Sequence, residues 1–169
     1  PNAKVWISDP SWPNHEAILK HLEIPVGKYR YFDDETCGVD FDGMKADIAS
    51  AAEGDVILMH GCCHNPTGAN ITAAQWTELA ALLQSKNLLP MIDIAYQGFG
   101  DGLDQDVEGL RVMAASAPQM LIAASCSKNF GLYRDRVGVA IAIAEDAAQQ
   151  SLTKDALATL NRLNYSFAP

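Results

Sequence analysis

The sequence has no CxxC pair. Its four cysteines are Cys37, Cys62, Cys63 and Cys126, two of them adjacent. That pattern argues against a disulfide framework and favours a reducing, cytoplasmic location. Positive charge is in deficit, 12 Lys and Arg against 21 Asp and Glu, for a formal net charge of −9. Nucleic acid and anionic membrane surfaces are therefore poor partners, although a local positive pocket for a small anion is still allowed. No apolar run reaches the ~18 residues of a membrane span, and no signal peptide is visible. Repeats, low-complexity segments and internal linkers are also missing. The chain begins with Pro1 and ends, after a long amphipathic stretch, without a polar tail. Both ends are expected to be cuts inside a longer protein.

What is present reads as one α/β domain with enough chain for a sizeable core. Apolar runs at Lys4–Ser8, Tyr29–Phe32, Val56–His60, Leu88–Ile94, Met120–Ala124 and Val137–Ala144 predict strands, several apolar on both faces. Helical patterns lie between them at Pro13–Leu22, Thr72–Lys86, Val107–Ala117 and Ala144–Asn164. Pro13 suits a first helical position, and Thr72 with Gln75 has capping-box spacing. Strands alternating with helices predict a three-layer αβα arrangement around a mainly parallel sheet. Ligands of such sheets bind beyond the carboxyl ends of the strands. The unusual polar residues collect there.

Asp93 ends an almost wholly apolar run. It is either a turn residue or a carboxylate that keeps a protonated ring nitrogen cationic. Lys128, just past an apolar strand, is either a solvated lysine or an amine made nucleophilic by its surroundings, able to form an imine. Arg136 with Ser125 and Ser127 is either a surface ion-pair partner or part of a phosphate seat. Trp12 is either core or a cover for a flat cofactor, and Asn65 before Pro66 is explained equally by a turn. The His60-Gly61-Cys62-Cys63-His64 run matches no closed zinc spacing, and strand alternation is expected to turn Cys63 away from the face of His60, Cys62 and His64. No metal site is expected.

Together these segments resemble one family. Ser-Lys-Asn-Phe-Gly-Leu-Tyr at 127–133 followed by Arg136-Val137-Gly138 is similar to the lysine signature of class I pyridoxal-phosphate-dependent aminotransferases of the aspartate/aromatic (tyrosine) group. Pro10-Ser11-Trp12-Pro13-Asn14-His15, His64-Asn65-Pro66-Thr67-Gly68 and Asp93-Ile94-Ala95-Tyr96-Gln97-Gly98-Phe99 fit the same group in the same order.

The resemblance implies the large domain of a fold type I transferase, spanning 1–169, without its first strand and small domain. The start of the interdomain helix falls at about 144–164. It implies pyridoxal 5′-phosphate as cofactor, and transamination between an acidic or aromatic amino acid and a 2-oxo acid such as 2-oxoglutarate, in a homodimer. An inert folded fragment and a lyase or decarboxylase of the same fold are the alternatives. By the same resemblance Lys128 is the imine-forming lysine and proton-transfer base, and Asp93 pairs with the pyridine nitrogen, supported by His15. Tyr96 and Asn65 bond the phenolic oxygen, Asn65 also touching the substrate carboxylate. Trp12 stacks on the ring, Ser125 and Arg136 hold the phosphate, and Arg162, in the run 161–166, reads a distal substrate carboxylate across a subunit interface.

Overall fold

The computed structural model describes residues 3–163. Its six-stranded sheet has the order β2-β1-β5-β6-β7-β8. These strands are β1 (Val5–Asp9), β2 (Val26–Arg30), β5 (Val56–His60), β6 (Leu89–Ile94), β7 (Met120–Ser125) and β8 (Gly138–Ile143). All neighbours pair in parallel except β7 and β8, which are antiparallel. A separate two-stranded ribbon joins β3 (Phe32–Asp33) to β4 (Gly38–Val39).

The helices are α1 (Pro13–His21), α2 (Phe41–Ile48), α3 (Ala73–Ser85), α4 (Glu108–Ser116) and α5 (Ala147–Leu163), with a short 3-10 turn at Gln105–Val107 before α4. Successive residues of β5 and β6 supply opposite layers, as the pleat requires. Ile57, Met59, Ile92 and Ile94 enter the larger core with Met44 and Ile48 of α2, Leu79 and Leu83 of α3 and Met113 of α4. Leu58 turns to the other face with Val5, Ile7 and Leu19 of α1. Two cores on opposite faces of one sheet make the three layers.

Local chemistry fixes the ends of the elements. The α3 capping box is present: the Gln75 N–H donates to Thr72 Oγ1 (3.3 Å), and the Thr72 N–H donates to Gln75 Oε1 (2.9 Å). The apolar stripe of α3, Trp76, Leu79, Ala80 and Leu83, is buried throughout. Asp55, just before β5, accepts from the backbone N–H of Lys4 (2.9 Å), the Trp6 indole (2.9 Å) and the Ala52 N–H (3.1 Å). Burial opposes its charge, but those donors and the Lys4 charge hold its carboxyl below the usual range. One side chain thus ties the starts of β1 and β5 together.

Three expectations need correction. The strand expected at Tyr29–Phe32 begins earlier, at Val26, and breaks after Arg30. Gly27 obscures it in the sequence; the position is glycine because a Cβ there would lie 2.6 Å from the Trp6 ring. Helix α2 and the β3/β4 ribbon are not anticipated at all. Eight residues with an internal glycine give α2 little periodic signal, yet Asp40 caps it by accepting from the Gly43 N–H (2.9 Å). Finally, α5 starts at Ala147 rather than Ala144 and buries none of its residues.

Candidate active site

The ends of β1, β5, β6 and β7 converge on a cleft of about 340 Å³. Its wall contains Trp12 from the turn after β1, Asn65 from the loop after β5, Asp93 from β6 and Tyr96 just beyond it. Ser125, Ser127, Lys128 and Arg136 close the side nearest β7 and β8. Seven of the nine residues expected at a site therefore line one cavity. His15, the eighth, lies directly behind Asp93. Arg162 is exposed in the last turn of α5 and does not line the cleft; its neighbours in the motif, residues 164–166, lie outside the described residues.

Strand register places His60 opposite Asp93. His15 reaches the same place from the first turn of α1, its N–H bonded to the Trp12 carbonyl (3.0 Å). The hydrogen bonds then set the tautomers. The Asn65 N–H can only donate, so His60 Nδ1 accepts it (3.0 Å). A neutral His60 consequently carries its proton on Nε2, facing His15 Nδ1 at 3.4 Å. His15 is left with its proton on Nε2, donated to Asp93 Oδ2 at 2.8 Å. His60 is neutral because burial, followed by the proximity of His15, pushes its pKa down to about 4 against the opposing pull of Asp93.

Beneath it, His64 stacks on His60 (4.4 Å) and on Tyr31 (3.8 Å). Its two ring nitrogens meet Ser8 Oγ (2.9 Å) and Thr67 Oγ1 (2.8 Å). Burial, then His60 and His15, push His64 down to about 3. The sequence motifs give His60 no place in the site beyond the rejected zinc spacing. Its part in the chain to Asp93 depends on a pairing between strands that a single sequence does not reveal.

The cationic side has a different construction. Lys128 Nζ sits 4.6 Å from the centroid of the Tyr96 ring, a cation–π contact. The Ser127 N–H donates to Ser125 Oγ (3.1 Å), and both serines line the cleft. Arg136 donates from Nη1 to the Tyr133 carbonyl (3.1 Å) and has a backbone φ of 51°. That bond, rather than a surface ion pair, is the contact that orients it. Tyr133 also lines the cleft and went unassigned; its place in the lysine signature was the available signal.

Cys63 departs from expectation. The chain leaves the sheet at His60, and Cys63 adopts a φ of 47°, so strand alternation no longer applies. Its sulfur lies on the same side as that of Cys62, with the two sulfurs and an Asp106 carboxylate oxygen within 4.8 Å of one another.

The cleft thus sets one hydrogen-bonded carboxylate across from two cations and two hydroxyls, beside an indole. That donor set fits a flat, protonated heteroaromatic ring carrying an aldehyde and a phosphate, as in pyridoxal phosphate.

Comparison with known proteins agrees. The "Aminotransferase class I and II" family profile matches residues 1–168. The aromatic-amino-acid aminotransferase of Paracoccus denitrificans is 57% identical over 169 residues, covering 100% of this chain and 43% of that protein. The aspartate aminotransferase of Escherichia coli (strain K12) is 45% identical over 166 residues, covering 98% and 42%. Among solved structures, an aromatic amino acid aminotransferase with 3-indolebutyric acid superimposes with a TM-score of 0.97 at 57% identity, over 100% of this chain and 43% of that one. The Burkholderia pseudomallei aromatic-amino-acid aminotransferase, covalently bound to pyridoxal phosphate, gives 0.95 at 40% identity, over 99% and 42%. The chain spans less than half the length of the relatives it matches. With its fold, its cleft and its full-length match to the family profile, the chain belongs to the class I and II aminotransferases.

Proposed function

We propose that this chain is the central part of the cofactor-binding large domain of a pyridoxal-phosphate-dependent aminotransferase. The parent enzyme moves an amino group between an acidic or aromatic L-amino acid and a 2-oxo acid such as 2-oxoglutarate. The observation that carries this reading is the placement of Asp93 and Lys128 in the wall of one cleft, with His15, itself bonded to His60, holding the Asp93 carboxylate.

Pyridoxal phosphate supplies an electron sink for cleavage of the substrate Cα–H bond. The residues have separate tasks. Asp93, oriented by the His15 Nε2–H, holds a proton at the ring nitrogen. Trp12 would cover the ring face, and the Tyr96 hydroxyl and Asn65 amide would donate to the phenolic oxygen. Ser125, Ser127 and Arg136 accommodate the phosphate, with Arg136 supplying a two-pronged donor. Lys128 Nζ would hold the cofactor and would be the base for the proton on the substrate Cα.

Arg162, exposed on α5, is assigned to the distal carboxylate of a substrate bound by the other subunit of a homodimer, and α5 to the start of the helix joining the two domains. Among the described residues the cleft contains only two lysine or arginine side chains, Lys128 and Arg136, both already assigned. The 169-residue chain alone is therefore expected to have little or no turnover. The parent enzyme is assigned to the cytoplasm; no described helix is long and apolar enough to cross a membrane.

Borohydride reduction of the full-length enzyme with pyridoxal phosphate, followed by peptide mapping, tests the assignment. The label should fall on Lys128. A label on another lysine with Lys128 unmodified refutes it.

A further inference from the structure

A second cavity, of about 290 Å³, lies against the cleft and shares His60 and Cys62 with it. The two have opposite charge. The cleft carries Lys128 and Arg136. The second cavity carries Asp101, Asp106 and Glu108, and no lysine or arginine among the described residues lines it. A hollow lined by one sign of charge concentrates counter-ions, so cations are drawn into the second cavity, whereas the cleft sets Asp93 against its two cations.

Cys62 and Asp106 line this acidic cavity, and Cys62 Sγ, Cys63 Sγ and an Asp106 carboxylate oxygen lie within 4.8 Å of one another. An extended chain points adjacent side chains to opposite sides. Here Cys63 takes a φ of 47°, a conformation uncommon outside glycine, and its N–H is anchored on Asn70 Oδ1 (2.7 Å). Asp106 is held by the N–H groups of Gly98 (2.8 Å), Gly100 (3.0 Å) and Asp101 (2.8 Å). The Gly102 N–H also bonds this carboxylate, so a cation gains the oxygen by displacing one of four backbone donors. The structure thus holds two thiols and a carboxylate together from two loops far apart in sequence, and the proposed reaction uses none of the three.

We propose that Cys62, Cys63 and Asp106 form a site for a soft divalent cation of the zinc and cadmium class. Two sulfurs and one oxygen supply three positions of a tetrahedron and leave the fourth to water. In a tetrahedral zinc site with bonds of about 2.3 Å the sulfurs stand about 3.8 Å apart, so the donors need to close by about 1 Å or less. Each thiol gives its proton to solvent as its metal–sulfur bond forms, and nothing is oxidised or reduced. Until then burial, the adjoining thiol and Asp106 keep the Cys62 proton in place, with its pKa pushed up to about 12.

The test is a titration of the reduced, chelator-treated chain, and of the full-length protein, with Cd²⁺, following thiolate-to-cadmium charge-transfer absorption in the ultraviolet. The band should saturate at one equivalent. Cys62→Ser and Cys63→Ser should each weaken binding at least tenfold, while Cys37→Ser and Cys126→Ser leave it unchanged. Should Cys62→Ser fail to fold by circular dichroism, the half-buried Cys63→Ser decides alone. No band, saturation at another stoichiometry, or undiminished affinity in Cys63→Ser overturns the site.

Discussion

Acid should loosen this fold well before its carboxylates protonate. His60 has a folded pKa of about 4 against an ordinary value of 6.5, because burial and His15 disfavour its charge. A depressed histidine pKa means the unfolded chain binds the proton more tightly than the folded one. The associated stability is fully present above pH 6.5 and is lost as pH falls from there toward 4. Between pH 7 and pH 5 the two titration curves differ by about 2 kcal/mol for His60 alone. His64, pushed down to about 3, acts in the same direction over the same window. Typical domains have only about 5–15 kcal/mol in total, so the loss is readily measured. The lowered carboxyls of Asp55 and Asp106 act below this window, so the range from pH 7 to pH 5 isolates the histidines. The assay is urea denaturation followed by tryptophan fluorescence at pH 7, 6 and 5. His60→Gln, which keeps an acceptor for the Asn65 N–H, should reduce the dependence whatever it does to stability at pH 7. Equal stability at pH 7 and pH 5, or an undiminished slope in His60→Gln, would refute this account of the histidine stack.

Three further outcomes are expected. In the full-length enzyme Asp93→Asn should lower kcat/KM for transamination by several orders of magnitude with the fold retained, because a neutral amide cannot hold the ring nitrogen protonated; near-normal kcat/KM would make Asp93 a mere strand-end residue. Arg162→Ala should penalise aspartate far more than an aromatic substrate, by a few kcal/mol in transition-state binding, and equal losses for both would remove its assigned role. The 169-residue chain should self-associate through β8, an uncharged edge strand on which Val139 is 53% and Ile141 45% exposed. Val139→Lys should shift it toward monomer in sedimentation velocity, and a clean wild-type monomer at high concentration contradicts the idea.

The parts of the fold legible in the sequence are those with strong local periodicity. The five longest-range strands of the sheet, β1, β5, β6, β7 and β8, fall within one or two residues of expectation, and Thr72 caps α3 as its spacing demanded. Elements whose signal is diluted by glycine or by brevity, β2 with Gly27 and α2 with Gly43, were shifted or missed. At the site, residue types at strand ends pointed to Asp93, Lys128 and Arg136, and the family resemblance added Trp12, His15, Asn65 and Tyr96. Neither disclosed the bond from His60 to His15, the stacking of His64 on His60, or the rotation of Cys63. The first two are relations between strands and loops distant in sequence. The third arises from a single backbone dihedral with no residue-type signature.

The order β1-β5-β6-β7 at the centre of the sheet also has a consequence for the time course of folding. The Trp12, Asn65 and Asp93 walls follow three different parallel strands, the Lys128 wall lies in the connection between the antiparallel β7 and β8, and no hairpin or single helix contains two of them. Parallel pairings between remote segments form slowly because the chain must close large loops before gaining contacts. Trp12, Asn65, Asp93 and Lys128 therefore have no partially folded form in which they already face one another. During synthesis the cleft cannot exist until β7 and the lysine loop have emerged and docked beside β6. Any ligand of the cleft accordingly binds only the completed sheet, and its affinity is a direct addition to the free energy of the whole domain rather than of one loop.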